Sequence, residues 1–127
     1  AAFVLKGDFK YFKTKHTESV SSKLGINDFT DLIGKVEFNF KEKSYTLDVG
    51  SQGFTMVGDL TSGATTYGGG RYLSLKLPET DGEIYLDFNY LFNPPCAFSE
   101  FTTCLFPPHQ NQLPFKIEAG ERIEKTL

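Results

Sequence analysis

The sequence has no tryptophan, one methionine, two cysteines and two histidines in 127 residues. Cys96 and Cys104 stand eight apart, which matches neither the redox nor the zinc spacing of paired cysteines. No metal and no cofactor is therefore expected. Its apolar runs fall far short of the ~18 residues of a membrane helix, so no membrane span is expected either. Basic charge is not in excess: 13 lysines and arginines against 16 acidic residues leave a formal charge of −3. That balance predicts no strong attraction to nucleic acid. Repeats and linkers are missing too, and residues 1–127 read as a single β domain. Nor is there a starting methionine or an apolar leader before "AAFVLK". A processed N-terminus and an excised piece both fit. A cytoplasmic location is the working expectation, with an exported mature form as the alternative, and oligomeric state is left open.

What is abundant is aromatic: 13 phenylalanines and six tyrosines. "FVLKGDFKYFK" begins apolar, loses its period and reads as an edge strand. Residues 14–25, polar and rich in serine and threonine, read as a loop holding a solvated His16. "NDFTDLIG" reads as one helical turn, capped by Asn27 or Asp28 and stopped at Gly34. Val36, Phe38 and Phe40, then Tyr45, Leu47 and Val49, alternate on either side of "KEKS". That is a hairpin with one wet face. "GFTMVGDL" reads as a short strand, with Met56 as core filler.

Leu73, Leu75 and Leu77 alternate into "PETDG", and Ile84, Leu86 and Phe88 alternate out of it. The expectation is a second hairpin pairing Leu77 with Ile84, Leu75 with Leu86 and Leu73 with Phe88. On its other face Asp87 would lie across from Ser74, Asn89 from Tyr72, and Tyr85 from Lys76. Residues 91–114 carry five of the six prolines. They read as a long ordered loop packed by Phe98, Phe101 and Phe106. "LPFKIEAG" reads as a last strand, and "ERIEKTL" frays. The fold expected is all-β: an antiparallel sandwich or barrel of about six to eight strands.

Two stretches invite chemistry. In Tyr67, Gly68, Gly69, Gly70, Arg71 and Tyr72, three glycines expose backbone N–H groups beside an arginine, an arrangement suited to a carboxylate or phosphate. It is not a dinucleotide fingerprint, because the spacing differs and no helix follows. The plainer reading is a tight bend with Arg71 clamped to Asp87 or Asp59. Cys96 and Cys104 admit four readings: buried thiols, a disulfide, part of a metal site with His109, or a Cys96 nucleophile with His109 as base. The two cysteines are expected to be close in space, since prolines bracket their loop.

The blocks "DLTSGATTYGGGRYL", "YLDFNYLFNPPCAF", "TTC", "PPHQNQLPF" and "IEAGER" together resemble the domain-of-unknown-function 1684 family, an uncharacterised bacterial family. They run through residues 59–122, and the hairpin before them is also similar. The resemblance picks out Thr61, Ser62, Gly63, Thr66, Tyr67, Gly68, Gly70, Arg71, Asp87, Phe88, Asn89, Asn93, Pro94, Cys96, Cys104, Pro108, Asn111, Gly120 and Glu121. Family members often place an acidic residue where this chain has Gln110. They also usually carry an N-terminal helical segment with tryptophan, so the chain resembles a shortened member or a core.

Three functions compete at this point. The first is a binding module whose pocket, lined by Arg71, Asp87, Asn89, Asn93 and Asn111, takes an anionic small molecule or peptide. The second is a small enzyme, hydrolase- or transferase-like, with Asp87, Cys96 or His109 as catalytic candidates. The third is a structural or interaction domain. Convergence of Arg71, Asp87, Asn89 and Asn111 in one partly wet site would favour the first two.

Overall fold

The computed structural model describes residues 3–22, 27–97 and 104–123. Its strands are Val4–Ser21 (β1), Asn27–Phe40 (β2), Lys43–Gly50 (β3), Phe54–Val57 (β4), Arg71–Ser74 (β5) and Gly82–Asp87 (β6). They form a four-stranded sheet in the order β3-β2-β1-β6 and a two-stranded sheet, β4-β5, both antiparallel. The sheets do not close on one another, so the architecture is a sandwich. The core between them gathers Phe9, Val36, Phe38, Leu47 and Val49 with Val57, Leu73, Ile84, Leu86 and Ile117.

The first hairpin forms as its alternation predicts, with Val36 opposite Leu47 and Phe38 opposite Tyr45. Its two turn residues, Lys41 (φ 49°) and Glu42 (φ 68°), are both left-handed. A two-residue hairpin turn demands that geometry, and residues with a Cβ adopt it at a cost of about 1 kcal/mol or more each. Glu42→Gly should therefore raise stability by about 1 kcal/mol. An unchanged or lower midpoint in urea would mean that the turn carries no strain.

Five expectations are corrected. β1 is an inner strand, paired with β2 on one side and β6 on the other. Its inward positions are Leu5, Gly7, Phe9 and Tyr11; Gly7 hides the period because it yields its space to Val36. Residues 14–21 continue this strand instead of looping. Between the pairs Tyr11–Gly34 and His16–Leu32, β1 inserts residues 12–15 where β2 has only residue 33. That bulge breaks the pattern on which a strand assignment would rest. For the same reason "NDFTDLIG" is the opening of β2 and not a helical turn.

The fourth correction matters most. No 73–88 hairpin forms: β5 pairs with β4, and β6 pairs with β1. Asp87 lies opposite Val4 and Tyr85 opposite Lys6. Leu73, Leu75, Ile84, Leu86 and Phe88 do share one core. They reach it from facing sheets, and alternation reports only the buried face. Finally, "LPFKIEAG" forms no strand. Its backbone is held by side chains and single bonds, such as Leu60 N–H to Phe115 O at 3.0 Å. Phe98 and Phe101, and the end of "ERIEKTL", lie outside the described residues.

Candidate functional site

The glycine run and the proline loop fit each other. A Cβ on Gly69 would lie 2.5 Å from the Tyr67 ring and 2.9 Å from the Phe106 ring. Gly70 has φ +86°, and a Cβ there would meet Pro107 at 2.7 Å. The Gly70 N–H donates to Tyr67 O at 3.1 Å, and the Tyr72 hydroxyl donates to Leu105 O at 3.1 Å. Burial, with Tyr67 nearby, raises the pKa of that hydroxyl. The glycines thus form a seat on which residues 105–107 rest. Gly68, just before them, is exposed.

Cys96 and Cys104 are joined in a disulfide, with Cα atoms 6.0 Å apart. Of the four readings, the disulfide is the one found, and oxidised Cys96 offers no thiolate. Closing so short a loop is worth about 2.5 kcal/mol on the chain-entropy account. Urea unfolding with and without a reductant should differ by that amount; coincident curves would remove the disulfide from the stability of the fold.

Arg71 has an acidic partner, but it is Asp59, not Asp87. The guanidinium Nη2 lies 3.6 Å from Asp59 Oδ1, and both side chains are 1% exposed. Nη2 also donates to Ile117 O at 3.0 Å, while Nη1 donates to Glu121 O at 3.2 Å and to Ala119 O. Burial lowers the arginine pKa, and Asp59 opposes that shift. Asp59 in turn accepts from Thr61 Oγ1 at 2.8 Å and from Ile117 N at 2.6 Å. Thr66 completes the cluster, 3.0 Å from the Thr61 hydroxyl. Arg71 and Asp59 are engaged in holding residues 117–121, while Thr61 and Thr66 brace Asp59.

The remaining candidates occupy other places. Asn111 is buried between the sheets: its Oδ1 accepts from Asp48 N at 2.8 Å, and its Nδ2 donates to Asp48 O and Met56 O. Asp87 caps the 3-10 turn Phe88–Tyr90 by accepting from Asn89 N and Nδ2. Asn93 is buried, taking Glu121 Oε1 on its backbone N–H at 2.6 Å. Its Oδ1 has no partner among the described residues. His109 is exposed at the start of the turn that leads to Asn111. Arg71, Asn111 and the Asp87–Asn89 pair thus sit in three separate hydrogen-bond networks. Among the described residues, no three metal-ligating side chains are grouped to hold an ion.

Sequence reasoning missed a different feature. A groove of about 690 Å³ is lined by Phe3, Phe40, Lys41, Lys43, Tyr45, Leu60, Phe115, Lys116 and Glu118. Phe40 stacks on both Phe3 (5.4 Å between ring centres) and Phe115 (4.4 Å), and Tyr45 meets Phe115 edge-on. Lys41 Nζ lies 5.4 Å from the centre of the Phe40 ring. None of its three lysines forms an ion pair among the described residues. The clue in the sequence was the alternation of lysine with aromatic residues in "FKEKSY" and "FK". Nothing local says that these segments meet. They do so because Ile117, held by Asp59 and Arg71, places Phe115, Lys116 and Glu118 beside the first hairpin. A smaller hollow on the outer sheet face, about 330 Å³, is lined by both charges (Asp8, Lys10, Lys35, Glu37, Asp81) and favours neither sign.

A family model described as protein of unknown function (DUF1684) matches residues 1–122. A search of curated proteins finds no match. Among solved structures, an uncharacterized protein of Haloarcula marismortui, determined by solution NMR, is similar to this chain with a TM-score of 0.76. The two are 26% identical over 94% of this chain and 70% of that one. That relative is archaeal, so the comparisons do not support the bacterial origin expected from the resemblance.

Proposed function

The chain belongs to the DUF1684 family, and we propose from the geometry that it is a binding domain. Its ligand is an anion with an apolar body, held in the aromatic–lysine groove. One observation carries the reading: three lysines without carboxylate partners among the described residues surround an apolar cleft on a chain of net charge −3. The groove volume lies within the ~300–1,000 Å³ typical of small-molecule sites. Ammonium groups left unpaired beside an apolar wall attract an anion whose body can cover that wall.

The enzyme alternative finds less support. Among the described residues, neither histidine nor cysteine lines the groove, and Glu118 is its one carboxylate. Arg71 acts at a distance by fixing the 115–118 wall, which makes it a positioning residue.

Amide chemical shifts of labelled protein, followed during titration with dodecanoate and with anilinonaphthalene sulfonate, test the proposal. At least one of these anions should shift residues 40–45 and 115–118 saturably. The double change Lys43→Glu and Lys116→Glu should weaken that binding at least about tenfold. If neither anion binds in the groove, or if charge reversal leaves affinity unchanged, the reading is wrong.

A further inference from the structure

Resting on that reading, we infer that the groove takes a free long-chain carboxylate, a fatty acid monomer, and not a planar aromatic anion or a nucleotide. The first reason is the ring arrangement. Phe40 is stacked on two neighbours and Tyr45 abuts Phe115 edge-on, so ring faces are turned to one another. A base or aromatic sulfonate needs an open ring face to stack on. A methylene chain needs only an apolar trough. Leu60, 57% exposed at the same groove, extends that trough with aliphatic surface.

The head-group preference has a separate basis. Among the described residues, the cations lining the groove are all lysines. Arg71, with the fork that suits phosphate oxygens, is buried against Asp59. Lys41 is close to the Phe40 ring, which leaves Lys43 and Lys116 freest to meet a head group. Glu118 adds a negative charge to the same wall and disfavours a head with several charges. One carboxylate between two ammonium groups satisfies this arrangement.

The test is calorimetric titration of residues 1–127 with octanoate, decanoate and dodecanoate below their micelle concentrations. Dodecanol, adenosine monophosphate and anilinonaphthalene sulfonate serve as comparisons, and phosphatidylglycerol vesicles are assayed by sedimentation. Affinity should rise about twofold to fourfold per added methylene, and dodecanoate should bind at least tenfold tighter than each soluble comparison. Lys43→Gln with Lys116→Gln should bring dodecanoate down to the level of dodecanol, and Leu60→Asp should flatten the dependence on chain length. These residues are exposed, so the variants should keep the parent fold. If the sulfonate or the nucleotide binds as tightly as dodecanoate, or affinity is flat with chain length, the fatty-acid inference fails while the anion groove stands. Binding to vesicles without binding to monomeric dodecanoate also overturns it, in favour of a lipid surface. If no soluble anion binds in the groove, the underlying reading fails as well.

Discussion

Arg71→Met is expected to cost about 3–5 kcal/mol, because it leaves the Asp59 carboxylate buried without its countercharge. It also removes the donors to Ile117 O, Ala119 O and Glu121 O. For a chain of this length the loss corresponds to a fall in Tm of roughly 10–20 °C. Arg71→Lys should be intermediate. An ammonium keeps the charge but cannot reach the carboxylate and three carbonyls together as the planar fork does. Adding Asp59→Asn to Arg71→Met should recover part of the loss by removing the stranded charge. Thermal and urea unfolding of the four proteins measure this directly. A loss below about 1 kcal/mol for Arg71→Met would show that the pair is no clamp. The Arg71→Lys variant, if folded, carries a second expectation. Amides of 115–121 should exchange faster, and ligand affinity at the groove should fall although residue 71 does not line it.

The second large effect is at Asn111, which is 1% exposed. Its side-chain amide offers Asp48 an acceptor and a donor, as a neighbouring strand would, and it reaches Met56 O on β4 with the same Nδ2. Asn111→Ala leaves one N–H and two carbonyls without these partners, at an expected cost of about 3 kcal/mol. Asn111→Asp is the sharper test. It keeps the shape but turns an oxygen toward two carbonyl oxygens, so it should be at least as damaging as alanine. If aspartate is tolerated at neutral pH, the donor role is wrong, and Asn111 serves only to fill space.

How far these sites could be read in advance differs between them. Asp59 was one of the two partners that the sequence offered Arg71; the other, Asp87, lay on the expected second hairpin, whose register the structure overturns. That register rested on alternation alone. Alternation says which side chains face the core, but two strands in facing sheets share a core as readily as two neighbours do. The cysteines were legible as neighbours because prolines confine the loop between them, a local constraint on chain direction. The groove was illegible for the opposite reason. Its walls come from residue 3, the 40–45 turn, residue 60 and residues 115–118, and no local pattern links segments so far apart.

By itself, then, the sequence determined whatever depends on near neighbours along the chain. The β2–β3 hairpin follows from period-two burial on both sides of a short turn. The absence of long helices among the described residues follows from the same period. The closeness of Cys96 and Cys104 follows from a short loop, and the five-block signature with its glycine run held the residues that the scaffold uses. Tertiary structure decided what depends on which surfaces meet. It made polar residues 14–21 the far end of an inner strand, because β2 was there to pair with them. It sent β5 and β6 to different sheets, and it used the glycine run to seat Phe106 and Pro107. It also left three lysines beside a stack of rings that the hydrophobic core did not absorb. Backbone pairing and burial are satisfied globally. A segment's partner is therefore fixed only when every other segment has taken its own.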